Sequence, residues 1–281
     1  MERMRKISIS GVAFFTAFLL LPSAGGAQLV LYDDFSLKTI NPDKWHGGEG
    51  SAGASGPDTE SSRGIKGGKL QLQLTSYGGT SSDAGTPLFN GQQRLRINSP
   101  GPVTIMQASV AVKSALAEHC EANTTPTRVR AGIRGSFFND GSSSGVGDAT
   151  GDIRAPFEKR RTSTTGGGFT DTIRAFILRC SDADCDTSTT LASHTFIKVW
   201  AKNKPDTLKL EWDAANDRFL FTVNPGTAGE ESKALSYTVT DTDPPGFAYR
   251  QLEVRIGAAN CTPERRAGSI TALFNDVMIN P

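Results

Sequence analysis

The chain is short of the residues that most often announce a chemistry. It has three His and four Cys in 281 residues. His46, His119 and His194 are scattered, without a Ser, Cys or acid at a telling spacing, so no His-centred triad or zinc set is legible. An excess of charge is lacking too. The 30 Lys+Arg and 29 Asp+Glu leave a formal +1, which excludes a polybasic nucleic-acid coat and an acidic tail protein. No segment carries a capped 3.6 period, so a helical fold is not expected. Long apolar runs are missing as well: Gly11 to Leu21 is a run of 11, short of the ~20 residues a spanning helix needs.

What is present is glycine, 30 residues of it, without a triplet period, which points to turns rather than collagen. Residues 1–27 read as a secretory signal: Arg3, Arg5 and Lys6, then the apolar run, then Pro22 and small residues up to Ala27. The exported part, residues 28–281, is expected to be secreted or periplasmic. All four cysteines fall within it, and an even count in an exported chain predicts two disulfides. The expected pairs are Cys180–Cys185, across a short loop, and Cys120–Cys261, a long-range link.

The rest alternates with period two. Leu70, Leu72 and Leu74 interleave with Gln71 and Gln73; Val129, Ala131 and Ile133 with Arg128, Arg130 and Arg134; Leu208, Leu210 and Trp212 with Lys209 and Glu211; Leu252, Val254 and Ile256 with Gln251, Glu253 and Arg255. Similar runs lie near 103–113, 172–180, 191–200, 219–223, 235–240 and 270–279. Turn signals separate them: Gly67-Gly68, Asn139-Asp140-Gly141, Asn224-Pro225-Gly226 and Pro244-Pro245-Gly246. Such a pattern predicts an all-β, antiparallel two-sheet sandwich of one domain over 28–281. Arg161 to Gly168 reads as a flexible loop.

The opening Leu31-Tyr32-Asp33-Asp34-Phe35, then Ile40-Asn41-Pro42-Asp43-Lys44-Trp45, and the closing Ala272-Leu273-Phe274-Asn275-Asp276-Val277-Met278-Ile279 resemble the concanavalin A-like lectin/glucanase superfamily. The resemblance implies a jelly roll in which the last strand returns beside the first, with Trp45 in the core. It implies a carbohydrate partner, but the superfamily spans lectins, glycosidases, lyases and adhesion modules.

Catalytic signatures of that superfamily are incomplete. A glycosidase strand would read E-x-D-x-x-E, whereas Asp152-Ile153-Arg154-Ala155-Pro156-Phe157-Glu158 has Arg154 for the central acid and Pro156 interrupting the strand. Asp152 and Glu158 would stand roughly 20 Å apart on it, too far for either glycosidase geometry. Gln92-Gln93-Arg94-Leu95-Arg96 echoes a lyase strand, yet no Gln-x-His accompanies it, and Tyr237 and Tyr249 lack the Lys and Gly pattern. Gly141 to Gly145 spells G-x-S-x-G with no helix behind it, so a hairpin loop is expected rather than a nucleophile elbow. Asp182, Asp184 and Asp186 spell the start of a calcium loop but lack its Gly and Glu. No metal site and no cofactor are therefore expected.

The arginines remain. Arg94 and Arg96, Arg128, Arg130 and Arg134, and Arg154 and Arg174 fall on the polar faces of strands. Near-neutral total charge favours ordinary sheet arginines paired with acids across strands; the alternative is a groove whose guanidinium forks hold carboxylate or sulfate. Trp200 is the tryptophan left to stack on a sugar. The expectation is a secreted, non-catalytic, lectin-like module for an anionic glycan through Arg94, Arg96, Arg128, Arg130, Arg134 and Arg154. Its rivals are a divergent glycosidase or lyase, or an adhesive envelope protein. No nucleic-acid partner and no membrane span after signal removal are expected.

Overall fold

In the computed structural model, residues 28–47, 59–77, 89–121, 125–143, 145–258 and 267–280 are described. The signal-like residues 1–27 and Cys261 lie outside them. Alternation builds strands almost throughout: β1 (Val30–Asp33), β2 (Trp45–His46), β3 (Thr59–Ile65), β4 (Leu70–Ser76), β5 (Phe89–Ile97), β6 (Ile105–Ala117), β7 (Arg128–Asn139) and β8 (Asp152–Ser163). Then come β9 (Phe169–Cys180), β10 (Ser188–Thr195), β11 (Pro205–Asp213), β12 (Arg218–Val223), β13 (Glu231–Ser236), β14 (Tyr249–Ala258) and β15 (Gly268–Ile279). They form two antiparallel sheets. One has eight strands, ordered β13-β12-β11-β6-β15-β4-β3 with β1 also on β15; the other has seven, ordered β10-β9-β8-β7-β14-β5-β2. This is the β-sandwich that the alternation predicts and the jelly-roll resemblance implies. Among the described residues no helix is long and apolar enough to cross a membrane.

The sheets meet through the apolar half of each alternation. Leu70, Leu72 and Leu74 face Leu252, Val254 and Ile256, and all are buried. Each such side chain contributes about 1.5–3 kcal/mol by leaving water. Beyond them lies an aromatic cluster: Phe138 stacks on Trp212 at 5.3 Å between centroids, and Phe137 meets Phe219 edge-on at 5.0 Å. The N-terminal motif closes one end. Trp45 is 1% exposed, stacks on Phe35 at 5.5 Å and donates its indole N–H to Asp33 at 2.6 Å. Strand β1 pairs with β15 at Val30–Ile279, so the last strand does return beside the first.

Several local expectations are corrected. Pro156 does not interrupt its strand: β8 runs on to Ser163. Arg154 pairs with Leu178 and Phe157 with Ala175 in one unbroken register, so the proline removes a donor without shifting the ladder. Arg161 to Ser163 belong to β8 rather than to a loop, held in part by Arg161 gripping Asp171 of β9 at 2.7 and 2.8 Å. The 191–200 run stops at Thr195, leaving Ile197 and Val199 exposed. The 235–240 run belongs to a strand that starts earlier and ends at Ser236.

One charged side chain crosses the core. Lys159 is 0% exposed, and its ammonium donates to the Val110 and Lys204 carbonyls at 2.7 and 3.0 Å and pairs with Asp206 at 2.8 Å. It thus fastens β8 of one sheet to β6 and β11 of the other. Burial works against ionisation of Asp206, but Lys159, together with Asn224 and with Lys198 at 3.0 Å, outweighs it and holds the carboxyl below the ordinary 3.8. Lys159→Met removes that cation and strands two carbonyls, and is expected to lower unfolding free energy by about 3 kcal/mol in urea titrations. A carboxyl depressed by folding stabilises above its unfolded pKa and ceases to as pH falls through its folded one. Stability from this pair should accordingly hold above about pH 5 and drain away below about pH 4, less steeply in Lys159→Met.

Candidate functional site

Strand alternation fixes what the outer face of the seven-stranded sheet carries. On β14 the outward residues are Tyr249, Gln251, Glu253 and Arg255; on β7, Arg128, Arg130, Gly132 and Arg134. Register sets them side by side. Arg96, Gln251 and Arg134 form one row across β5, β14 and β7. Arg255, Arg130 and Arg160 form another, across β14, β7 and β8. Between them Glu253, Gly132 and Glu158 line up.

Two adjoining cavities of about 350 Å³ each open on this face. The first is lined by Arg94, Arg96, Arg134, Arg154 and Arg255 with Tyr249, Gln251, Phe247, Asp184 and Asp186. The second is lined by Arg128, Arg130, Arg160, Arg174 and again Arg255, with Glu158, Phe176 and Ser188. Arg255 is shared, so the two make one groove holding nine arginines. Four carboxylates accompany them: Glu158, Glu253, Asp184 and Asp186. All six predicted arginines, Arg94, Arg96, Arg128, Arg130, Arg134 and Arg154, line this groove.

Pairing with acids does not consume them. Glu158 holds Arg160 at 2.5 Å, and Glu253 lies 3.7 Å from Arg134. Among the described residues Arg94, Arg96, Arg128, Arg130, Arg154, Arg174 and Arg255 have no carboxylate within 4.0 Å. The Nε groups of Arg130, Arg134, Arg154 and Arg174 are buried without a hydrogen-bond partner. Such donors are expensive to leave unmet. Electrostatics agree. Burial pulls the Arg130 guanidinium down to about 9, and lowers Arg96, Arg128, Arg154, Arg174 and Arg255 as well. Burial acts on Arg134 too, but Tyr249 and Glu253 outweigh it and raise its pKa. Glu158 resists burial through Arg160 and Arg130, which hold its carboxyl below the ordinary range. The groove is a desolvated cationic surface, and an entering anion would relieve it.

Tyr249 stands in the middle, with the guanidinium carbons of Arg96 and Arg154 at 5.0 and 5.5 Å from its ring centroid. Sequence reading placed Tyr249 outside any pattern. It also left out Arg160, Arg255 and Gln251 as site residues. Their signal was the polar half of the Gln251–Arg255 alternation, and of β8 had Pro156 not been read as a break.

Other candidates go elsewhere. Asp152 is 0% exposed and is a clamp: its carboxylate accepts from Asn139 Nδ2 at 2.9 Å and from the Gly246 and Phe247 amides at 2.7 and 3.1 Å. It fixes the loop that sets Phe247 at the groove wall. Gly246 permits this, since a Cβ there would lie 1.9 Å from the Asp148 carbonyl. Trp200, expected free to stack on a ligand, is 4% exposed and donates its indole N–H to the Arg160 carbonyl at 3.0 Å, beneath the sheet. Ser143 donates to the Asp148 carbonyl within its loop. Cys180 and Cys185 are bonded as expected; of the pair Cys120–Cys261, the second half lies outside the described residues. The Cys180–Cys185 bridge carries Asp184 and Asp186 at the end of the groove. Asp182 turns inward, accepting from the Asp186 and Thr187 amides at 2.9 and 2.8 Å.

No protein-family model and no curated protein matches the chain. Solved structures with similar layouts include a β-1,3-glucanase from Mycobacterium marinum (12% identity, TM-score 0.46, covering 92% of this chain and 99% of that one). A legume lectin-like domain from Entamoeba histolytica is similar at 8% identity and TM-score 0.39, over 90% of this chain and 97% of that one. A GlcNAcα1-4Gal-releasing endo-β-galactosidase from Clostridium perfringens is similar at 11% identity and TM-score 0.43. In that last case 90% of this chain spans 64% of the other. The functional reading rests on the groove's own residues.

Asp152→Asn tests the clamp. It replaces one of the two accepting oxygens with an NH2, so one of the two backbone amides loses its acceptor and unfolding free energy should fall by about 1–3 kcal/mol, measured by urea titration. Faster hydrogen exchange at Gly246 or Phe247, whichever faces the new NH2, should accompany the loss.

Proposed function

We propose that the chain is an exported, non-catalytic binding module whose outer-sheet groove takes an acidic polysaccharide. The single observation that carries this is the set of seven groove arginines with no carboxylate partner among the described residues, four of the nine guanidiniums also keeping a buried Nε unmet. Guanidinium forks suit carboxylate and sulfate. Two further features select a sugar over a polyphosphate. Four carboxylates line or underlie the same groove, where they would repel a uniformly charged backbone but accept hydroxyls. Gln92, Gln251, Ser188 and Thr190 add neutral hydrogen-bonding groups, and Phe247 adds an apolar face for a ring. Export is supported by the signal-like residues 1–27 and by the Cys180–Cys185 bridge.

A second reading is favoured by Tyr249, a phenol set between Arg96 and Arg154. In β-elimination from a uronate, cations neutralise the carboxylate while an acid–base group moves the proton. Calorimetry on polyuronate, sulfated and neutral oligosaccharides, read beside ultraviolet absorbance of unsaturated products, separates the two. The binding reading expects affinity for the acidic sugars and no product. Arg154→Gln, which breaks no ion pair, should weaken binding about tenfold or more. Product formation abolished by Tyr249→Phe with binding retained would establish the lyase. Absence of binding to every acidic sugar would remove both.

A further inference from the structure

The groove's charges are not spread evenly. Along β7 the outward residues run Arg134, Gly132, Arg130 and Arg128. The row through Arg134 is cationic, with Arg96 beside it across Gln251. The row through Arg130 is cationic on both sides, with Arg255 and Arg160. The row between them is different: Gly132 has no side chain, and its two neighbours in register are Glu253 and Glu158. Both glutamates are buried, at 3% and 4% exposure. Gly132 cannot be replaced by a larger residue without moving the sheet, since a Cβ there would lie 2.1 Å from the Phe157 carbonyl. Counted out to β5 and β9, Arg94 stands beside Glu253 and Arg174 beside Glu158 in register, so the face runs cationic, balanced, cationic, with the two carboxylates at the centre of the balanced row. The two cationic rows stand four residues apart on one strand, about 13 Å.

We propose that this spacing selects an acidic oligosaccharide whose anionic groups sit on alternate sugars, with a neutral sugar lying over Glu253, Gly132 and Glu158. The proposal rests on the reading of the groove as an acidic-glycan site and adds to it the order of charges along the chain. A carboxylate or sulfate over each cationic row meets guanidinium donors, and the buried Nε groups of Arg134 and Arg130 lie in those two rows. The sugar between meets two carboxylates, which accept its hydroxyl protons and repel a third anion. A polymer charged on every sugar would press an anionic group against Glu253 and Glu158. Its affinity is set back by that contact even though its total charge is larger.

The test is calorimetry on the full-length exported chain with oligosaccharides of equal length. One series alternates glucuronate with N-acetylglucosamine, one is a homopolymeric uronate, one is neutral, and a single-stranded oligonucleotide serves as a non-sugar polyanion. The alternating series should bind at least about tenfold tighter than the homopolymer, a difference of 1.4 kcal/mol. Equal or tighter binding of the homopolymer would overturn the spacing and leave the acidic-glycan groove standing. Binding of neither acidic series, or tighter binding of the oligonucleotide, would overturn the groove reading itself and this inference with it. Glu253→Gln gives the second readout. Without the charge, the homopolymer should gain severalfold and the preference should narrow; an unchanged ratio would overturn the role assigned to the central row. Should that variant fail to fold, the ratio measured on the unaltered chain still decides the matter.

Discussion

Repulsion among guanidiniums is the constraint around which this molecule is arranged. Nine of them share one sheet face, and no surface of that kind would stay flat and partly desolvated on electrostatics alone. It is tolerated because the strands that carry it are apolar underneath. Val129, Ala131, Ile133, Leu252, Val254 and Ile256 are all buried against the opposing sheet. Each outward Arg on β7 or β14 is flanked along its strand by an inward hydrophobic residue, so moving the cation into water would drag core side chains with it. Hydrophobic burial thus holds in place a charge distribution that is unfavourable by itself. Among the described residues Glu158 and Glu253 lie within that face and soften it: Glu158 holds Arg160 at 2.5 Å, while Glu253 lies 3.7 Å from Arg134 and accepts from the Gln251 amide at 2.5 Å.

The same economy of counter-ions appears inside the sandwich. Arg250 is 2% exposed and donates to the carbonyls of Val103, Ser136 and Tyr249, with its guanidinium 3.7 Å from the centre of the Phe137 ring. Burial draws its pKa down to about 9, still cationic at neutral pH. Lys159 is likewise held by two carbonyls as well as by Asp206. Backbone oxygens and aromatic faces do much of the work that carboxylates do elsewhere. Inside, each of these cations is held by several acceptors and ties the layers together. Outside, in the groove, seven arginines have no carboxylate within 4.0 Å among the described residues.

Loops frame the groove without forming its floor. The Asp152 carboxylate grips the amides of Gly246 and Phe247. The Cys180–Cys185 bridge brings Asp184 and Asp186 to the same cavity. One wall is therefore aromatic and one acidic, and both are fixed to strand ends by short-range covalent or hydrogen-bonded links. The charge pattern of the floor is set by strand register. The walls add an aromatic face and an acidic boundary.

Period-two alternation was enough to read the two-sheet architecture, most of the strands and the face on which each arginine stands, because side-chain direction in a strand is a local property. The Cys180–Cys185 bridge was legible for the same reason, since it closes a short loop. Strand ends near Thr195 and Ser236 were misread because apolar residues run on past the last paired position, and β8 because a proline within it did not break the ladder. Which strands become neighbours is not local. Nothing in the order of residues places Glu253 beside Gly132, Arg255 beside Arg130 or Tyr249 among Arg96 and Arg154. Those adjacencies follow from β14 docking between β5 and β7, a pairing of segments over a hundred residues apart that is decided by how the two apolar faces close on each other.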